Sequence, residues 1–192
     1  KWLGKLSQSR KTRNRLPPRD AKKITAWNAL ALKALVDASI ALQRKDCLEM
    51  AIQLADWMKK NLLDEDGQVL SVHYEDRISE CPGFLDDHAF WAEGLLALSA
   101  TSEWLEPGSS NKFIQDATNL ARKVLDRFED KQKPGFYFAP EGLNCPSPAK
   151  KKFWFDNAVP AGNSSMLRVF SSLAILTEDE LWEKEYQKTR AA

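Results

Sequence analysis

Three segments of this sequence are apolar on nearly every side of a helix, and each precedes a segment that is apolar on one side only. That alternation constrains the fold more than any other feature. Residues 23–43 contain no Pro or Gly, and Trp27, Leu30, Leu32, Leu35, Val36 and Ile40 spread over most faces. A helix of this kind is surrounded by other elements. Residues 46–63 instead carry Leu48, Ala51, Ile52, Ala55, Met58 and Leu62 as one stripe, with charge opposite. That is the pattern of an outer helix, with Asp46 as its expected N-cap. The alternation recurs with residues 84–100 and 111–130, and again with 162–176 and 178–189.

The repeating unit is an inner helix, a turn, an outer helix and a short extended excursion. Asp64-Glu65-Asp66-Gly67 and Pro134-Gly135 stop the first two outer helices. Extended segments follow at 69–74 and 136–138. The equivalent positions Asn28, His88 and Asn163 are 60 and 75 residues apart, longer than the roughly 33–47 residues of ordinary helical solenoid repeats. The expected fold is all-α: two concentric layers of about three helical hairpins with short β excursions. Three hairpins do not close a ring. The expected divisions are a basic arm with a preceding helix end at 1–22, and hairpins at 23–75, 84–140 and 156–190.

The formal net charge of +1 conceals an asymmetry. Residues 1–23 hold nine basic side chains and one acid, and the remainder holds 19 basic and 26 acidic residues. A basic arm on an acidic body suits a nucleic acid or anionic partner. No aromatic or glycine-rich pattern accompanies it here, so the arm, closed by Pro17-Pro18, is read as docking on the body. Cys47, Cys81 and Cys145 lie far apart with no CxxC pair. They are read as free thiols of a reducing compartment, cytoplasmic or mitochondrial. No metal site is expected from so few Cys and His, no cofactor motif occurs, and no apolar run is long enough for a membrane span. Asn163-Ser164-Ser165 matches a glycosylation sequon at a helix start and is treated as chance.

Each inner helix opens with a polar cluster. Asp20, Lys22, Trp27 and Asn28 open the first, Asp86-Asp87-His88 the second, and Asp156 and Asn163 the third. In concentric layers these starts converge on one end of the axis, where helix N–H groups favour oxygen-rich or anionic ligands. Asp86 and Asp87 are adjacent carboxylates that compete for ionisation, and His88 titrates in the range useful for proton transfer. Glu93, alone in an apolar helix, is either a functional acid or the partner of a structural cation. Asp86, Asp87, His88, Glu93 and Asp156 are therefore the catalytic candidates. Asp20, Lys22, Trp27, Asn28 and Asn163 are the candidates for holding a sugar, with Trp27 stacking on its apolar face.

At these motifs the sequence resembles the thioredoxin-like/six-hairpin family that includes spermatogenesis-associated protein 20. The family patterns RPxxDDKxLTAWNGL, FLDDYAFxxEGLLxL and DGAxPSGNS correspond in order to Pro18-Arg19-Asp20-Ala21-Lys22-Lys23-Ile24-Thr25-Ala26-Trp27-Asn28, to Phe84-Leu85-Asp86-Asp87-His88-Ala89-Phe90 with Glu93-Gly94-Leu95-Leu96, and to Asp156-Asn157-Ala158-Val159-Pro160-Ala161-Gly162-Asn163-Ser164. The resemblance implies an α/α toroid of the six-hairpin glycosidase-like kind, with upstream hairpins and a thioredoxin-like domain beyond this chain, in cis or as another chain. It gives a fold and a site location, and two readings stay open: a carbohydrate-active toroid of the epimerase/isomerase or glycoside hydrolase type, or a non-catalytic helical module of a larger protein or assembly. Ala21, Ala29, Asn157 and Ala161 depart from the pattern, and Ala21 removes one carboxylate from the implied site.

Overall fold

The computed structural model describes residues 2–12, 19–77, 79–142 and 150–191. Pro17, Pro18, most of the basic loop and Cys145 lie outside them. Seven helices and one two-stranded sheet are present among the described residues. The helices are α1 (Trp2–Lys11), α2 (Thr25–Ala41), α3 (Lys45–Asn61), α4 (Leu85–Ser102), α5 (Ser110–Arg127), α6 (Gly162–Thr177) and α7 (Glu180–Arg190). β1 (Lys23–Ile24) pairs antiparallel with β2 (Val72–His73), Lys23 opposite His73.

The helices form two layers. The inner helices α2, α4 and α6 stand side by side in that order, and each is backed by the outer helix that follows it. The core between the layers holds Leu32, Val36, Leu48, Met58, Leu98 and Phe170, all essentially without solvent contact. Burying each large apolar side chain contributes about 1.5–3 kcal/mol. Where α2 and α4 touch, Gly94 allows the approach: a Cβ there would stand 3.1 Å from Leu32 and 3.2 Å from the Ala29 carbonyl.

The apolar pattern places the helices well and their ends less well. The first inner helix begins at Thr25, not at residue 23, because Lys23 and Ile24 are drawn into the ladder with β2. The cap of α3 is Arg44, not Asp46. Asp46 lies inside the first turn and pairs with the Arg44 guanidinium. The last helix starts at Glu180, capped by Asp179, whose side chain accepts the Leu181 amide at 3.0 Å. Glu178, at φ 54°, turns the chain between α6 and α7.

Only the middle inner helix is covered all round. α4 buries most of its length between α2, α5 and α6. On α2, Thr25, Ala29, Leu32, Val36 and Ser39 are buried, whereas Trp27, Ala31, Ala34 and Ile40 are exposed. On α6, Ile175 and Leu176 are exposed. The expectation that every inner helix is enclosed therefore fails at the two flanks of the row, where neighbours are present on one side only. Cys47 is a free buried thiol. No described helix is long and apolar enough to cross a membrane.

Candidate functional site

The starts of α2, α4 and α6 meet, and two adjacent carboxylates join them. Consecutive helical residues point about 100° apart, so Asp86 and Asp87 face different neighbours. Asp87 turns toward α2. Its Oδ1 accepts the Ala26 amide at 2.8 Å and its Oδ2 accepts the Phe84 amide at 2.8 Å, with the Ser71 hydroxyl as a further donor. Asp86 turns toward α6 and accepts the Gly162 amide. The approach is close enough that a Cβ on Gly162 would lie 2.5 Å from Asp86 Oδ1.

Burial pushes both carboxyls up, against the pull of these amides: Asp86 to about 6 and Asp87 to about 7. Asp87 is almost fully enclosed, while Asp86 keeps partial access to solvent. Asp156 also grips the α6 N-terminus, accepting the Ala161 amide at 2.9 Å. That amide, followed by the Ser164 hydroxyl, holds its carboxyl below the usual range. The exposed Asp156 and the half-buried Asp86 thus bind neighbouring amides of one helix start and are shifted in opposite directions.

Two of the candidates are wholly enclosed. His88 has no solvent exposure. Its Nδ1 lies 2.9 Å from the Phe84 carbonyl, which can only accept, so the ring proton sits on Nδ1. Its edge meets Phe128, with ring centroids 5.0 Å apart. Nε2 is buried without a partner among the described residues, and burial pulls the imidazole down to about 4. Asn163 is equally enclosed. Its side chain accepts the Phe136 amide at 2.8 Å and donates to the carbonyls of Phe136 and Phe153 at 3.0 and 3.1 Å. It pins the segments before α6 to its first turn. Asn28 turns back to its own helix, donating to the Ile24 carbonyl at 2.8 Å.

Of the remaining candidates, Asp20, Lys22 and Trp27 are accessible and Glu93 is partly sheltered. Asp20 and Lys22 form an exposed pair at 3.0 Å, and Trp27 is 66% exposed. Glu93 lies two helical turns beyond Asp86 on the same face of α4. Arg168 of α6 grips it with both arms, at 2.9 and 3.1 Å, and also donates to Ser165 at 2.9 Å. Glu93 thus pairs with a cation. Lys33, Glu93 and Arg168 line a recess of about 380 Å³ on the inner face of the row, turned away from the outer helices. Sequence reasoning missed Arg168, the sole charge of α6, and Phe155, which is 90% exposed beside Asp156. A lone charge in a second apolar helix, opposite in sign to Glu93, was the available signal.

Comparison with known proteins bears on this geometry. Spermatogenesis-associated protein 20 of Homo sapiens is 30% identical over 173 residues, covering 84% of this chain and 21% of that protein. The Rattus norvegicus protein of the same name is 29% identical over 191 residues, covering 94% and 23%. The chain spans about a fifth of the length of these relatives. No family model matches it. Among solved structures, D-mannose isomerase superposes with a TM-score of 0.72 at 20% identity, over 99% of this chain and 53% of that one. Cellobiose 2-epimerase from Spirochaeta thermophila gives 0.67 at 18% identity, over 90% and 43%. A GH76 alpha-mannanase from Bacteroides thetaiotaomicron gives 0.65 at 15%, over 93% and 45%. At such identities these likenesses establish the fold, part of an α/α toroid of the six-hairpin glycosidase-like kind.

Proposed function

The chain belongs to the family of spermatogenesis-associated protein 20 and has the six-hairpin glycosidase-like fold, and from that premise we propose that it carries part of a sugar-binding, acid–base site on the inner face of its row of helices. One observation carries the reading. Asp86 and Asp156 hold adjacent amides at the start of α6, and their surroundings push their carboxyls apart. Pairs of acids separated in this way divide into a proton donor and an ionised partner. Asp86, raised to about 6, is the group that takes up a proton just below neutral pH and can deliver it. Asp156, exposed and ionised, is the base or the stabiliser of positive charge in a sugar ring.

The other residues then take supporting parts. Trp27 and Phe155 offer apolar faces for stacking on a sugar. Asp20 and Lys22 supply hydroxyl partners at the rim. The Glu93–Arg168 pair fixes the polar floor of the recess. Asp87, His88, Asn28 and Asn163 position the helix starts and hold the acids in place through their bonds to backbone amides and carbonyls. Structural neighbours that are epimerases, isomerases and glycosidases support a carbohydrate as the ligand class.

The test uses the intact protein, incubated with mannose, glucose, cellobiose and mannan oligosaccharides and followed by proton NMR. Conversion of at least one sugar by the wild type, lost in Asp86→Asn at unchanged Tm, is the expected result. If no sugar is bound or converted, or if Asp86→Asn works at the wild-type rate, the acid–base reading is wrong. The chain is then a non-catalytic helical module, and the uncovered face of α2 around Trp27, Ala31 and Ala34 becomes its point of contact with further hairpins.

A further inference from the structure

We propose that the cleft between the outer helices α3 and α5 is a second ligand site, on the far side of α4 from the inner-face recess, which takes a small organic monoacid with an apolar body. The outer helices do not pack closely on one another. They are tied across the top by Lys59 and Asp116, whose amine and carboxylate meet at 2.8 Å. Beneath that tie lies a cavity of about 440 Å³. Leu95 and Trp91 of α4 form its floor, and Ala55, Leu63, Phe113 and Leu120 its walls. A space of this size between packed elements is in the range of small-molecule sites.

Two polar groups in this apolar space have unmet needs. Trp91 is 3% exposed, and its indole N–H has no acceptor among the described residues. An unpaired buried donor of this kind is costly to leave unmet. Lys123 closes one end, with its Nζ 3.6 Å from the position a Cβ on Gly67 would take. It forms no direct ion pair among the described residues; burial pulls its amine down, and the nearby Asp64 charge offsets part of that pull. Lys59, by contrast, is already neutralised by Asp116.

An apolar box with one unmet hydrogen-bond donor and one amine that has no direct ion pair fits a ligand that offers both an acceptor and a single negative charge. Asp56, also on the lining, repels an anion, so the ligand's carboxylate belongs at the Lys123 end of the cleft. None of the residues of the inner-face site lines this cleft, so the two sites stand or fall separately.

The test titrates the intact, nitrogen-15-labelled protein with octanoate, with 1-octanol and with octylamine, reading the indole N–H resonances. Octanoate should move one indole signal, the one missing from Trp91→Phe. Lys123→Met should weaken octanoate binding by about tenfold or more, the loss of one good charge contact, and leave 1-octanol binding unchanged. Octylamine should bind most weakly. Ala55→Leu, which fills the wall, should abolish binding of both octanoate and 1-octanol at unchanged Tm, and it identifies the cleft even if Trp91→Phe does not fold. The proposal is overturned if octanoate moves no indole signal. It is equally overturned if Lys123→Met binds octanoate as the wild type does, or if 1-octanol binds as well as octanoate.

Discussion

Asp87 of α4 accepts the Ala26 amide of α2 at 2.8 Å, so a side chain of one inner helix closes the open end of the next. The first amides of any helix lack intrahelical acceptors. The residue before α2, Ile24, has no side-chain oxygen to supply one. Asp87 fills that gap from outside and at the same time satisfies Phe84 at the start of its own helix. The carboxylate is a joint between two hairpins.

That role predicts a structural rather than a purely chemical phenotype. Asp87→Ala leaves two amides without acceptors in a nearly dry environment, and the unfolding free energy falls by about 2–4 kcal/mol. Urea denaturation measures it. A variant as stable as the wild type removes the joint from the account.

Acid sensitivity follows from Asp86 and His88, which pull in opposite directions. Burial raises Asp86 from 3.8 to about 6, so its contribution is full below pH 3.8 and is lost as pH rises toward 6. Burial lowers His88 from 6.5 to about 4, so its contribution is full above pH 6.5 and is lost as pH falls toward 4. Between these limits the two partly cancel. Asp86→Asn removes one of two compensating carboxyls, the other being Asp87, and leaves the histidine. Its stability should therefore drop more steeply on acidification from pH 6.5 to 4, by about 1–3 kcal/mol relative to wild type. Parallel stability–pH curves for the two proteins contradict this.

Glu93 and Arg168 stitch α4 to α6 across the inner face. The pair is bidentate, and Glu93 is mostly sheltered, which favours a measurable coupling. Arg168 is about half exposed, which limits it. A double-mutant cycle with Glu93→Gln and Arg168→Met should give a coupling of about 1 kcal/mol that shrinks in high salt. Strict additivity of the two substitutions tells against the stitch.

The sequence displayed the layering because burial follows apolar periodicity. The inner helices 23–43, 84–100 and 162–176 stand where the all-round pattern put them, shifted by a few residues. What the pattern lacks is long-range pairing. Lys23 and Ile24 read as helix until β2, some fifty residues later, competes for their backbone. The starts of the three inner helices do adjoin, but composition could not divide the work between neighbours. Asp86 and Asp87 are the same residue type in adjacent positions. Only the rotation of the helix sends one to α6 and the other to α2. His88 was selected for its titration range, yet the same rotation directs it against Phe128, where that range is lost to burial.

Because the row is held mainly by the contacts of α4 with α2 on one side and α6 on the other, the protein's cohesion is shared out link by link. Structures of that kind behave as a chain of units with nearest-neighbour terms. A defect in α4 weakens two seams at once, while a defect on the exposed side of α2 weakens none. Tolerance to sequence change is therefore lowest in the middle hairpin and rises toward both flanks.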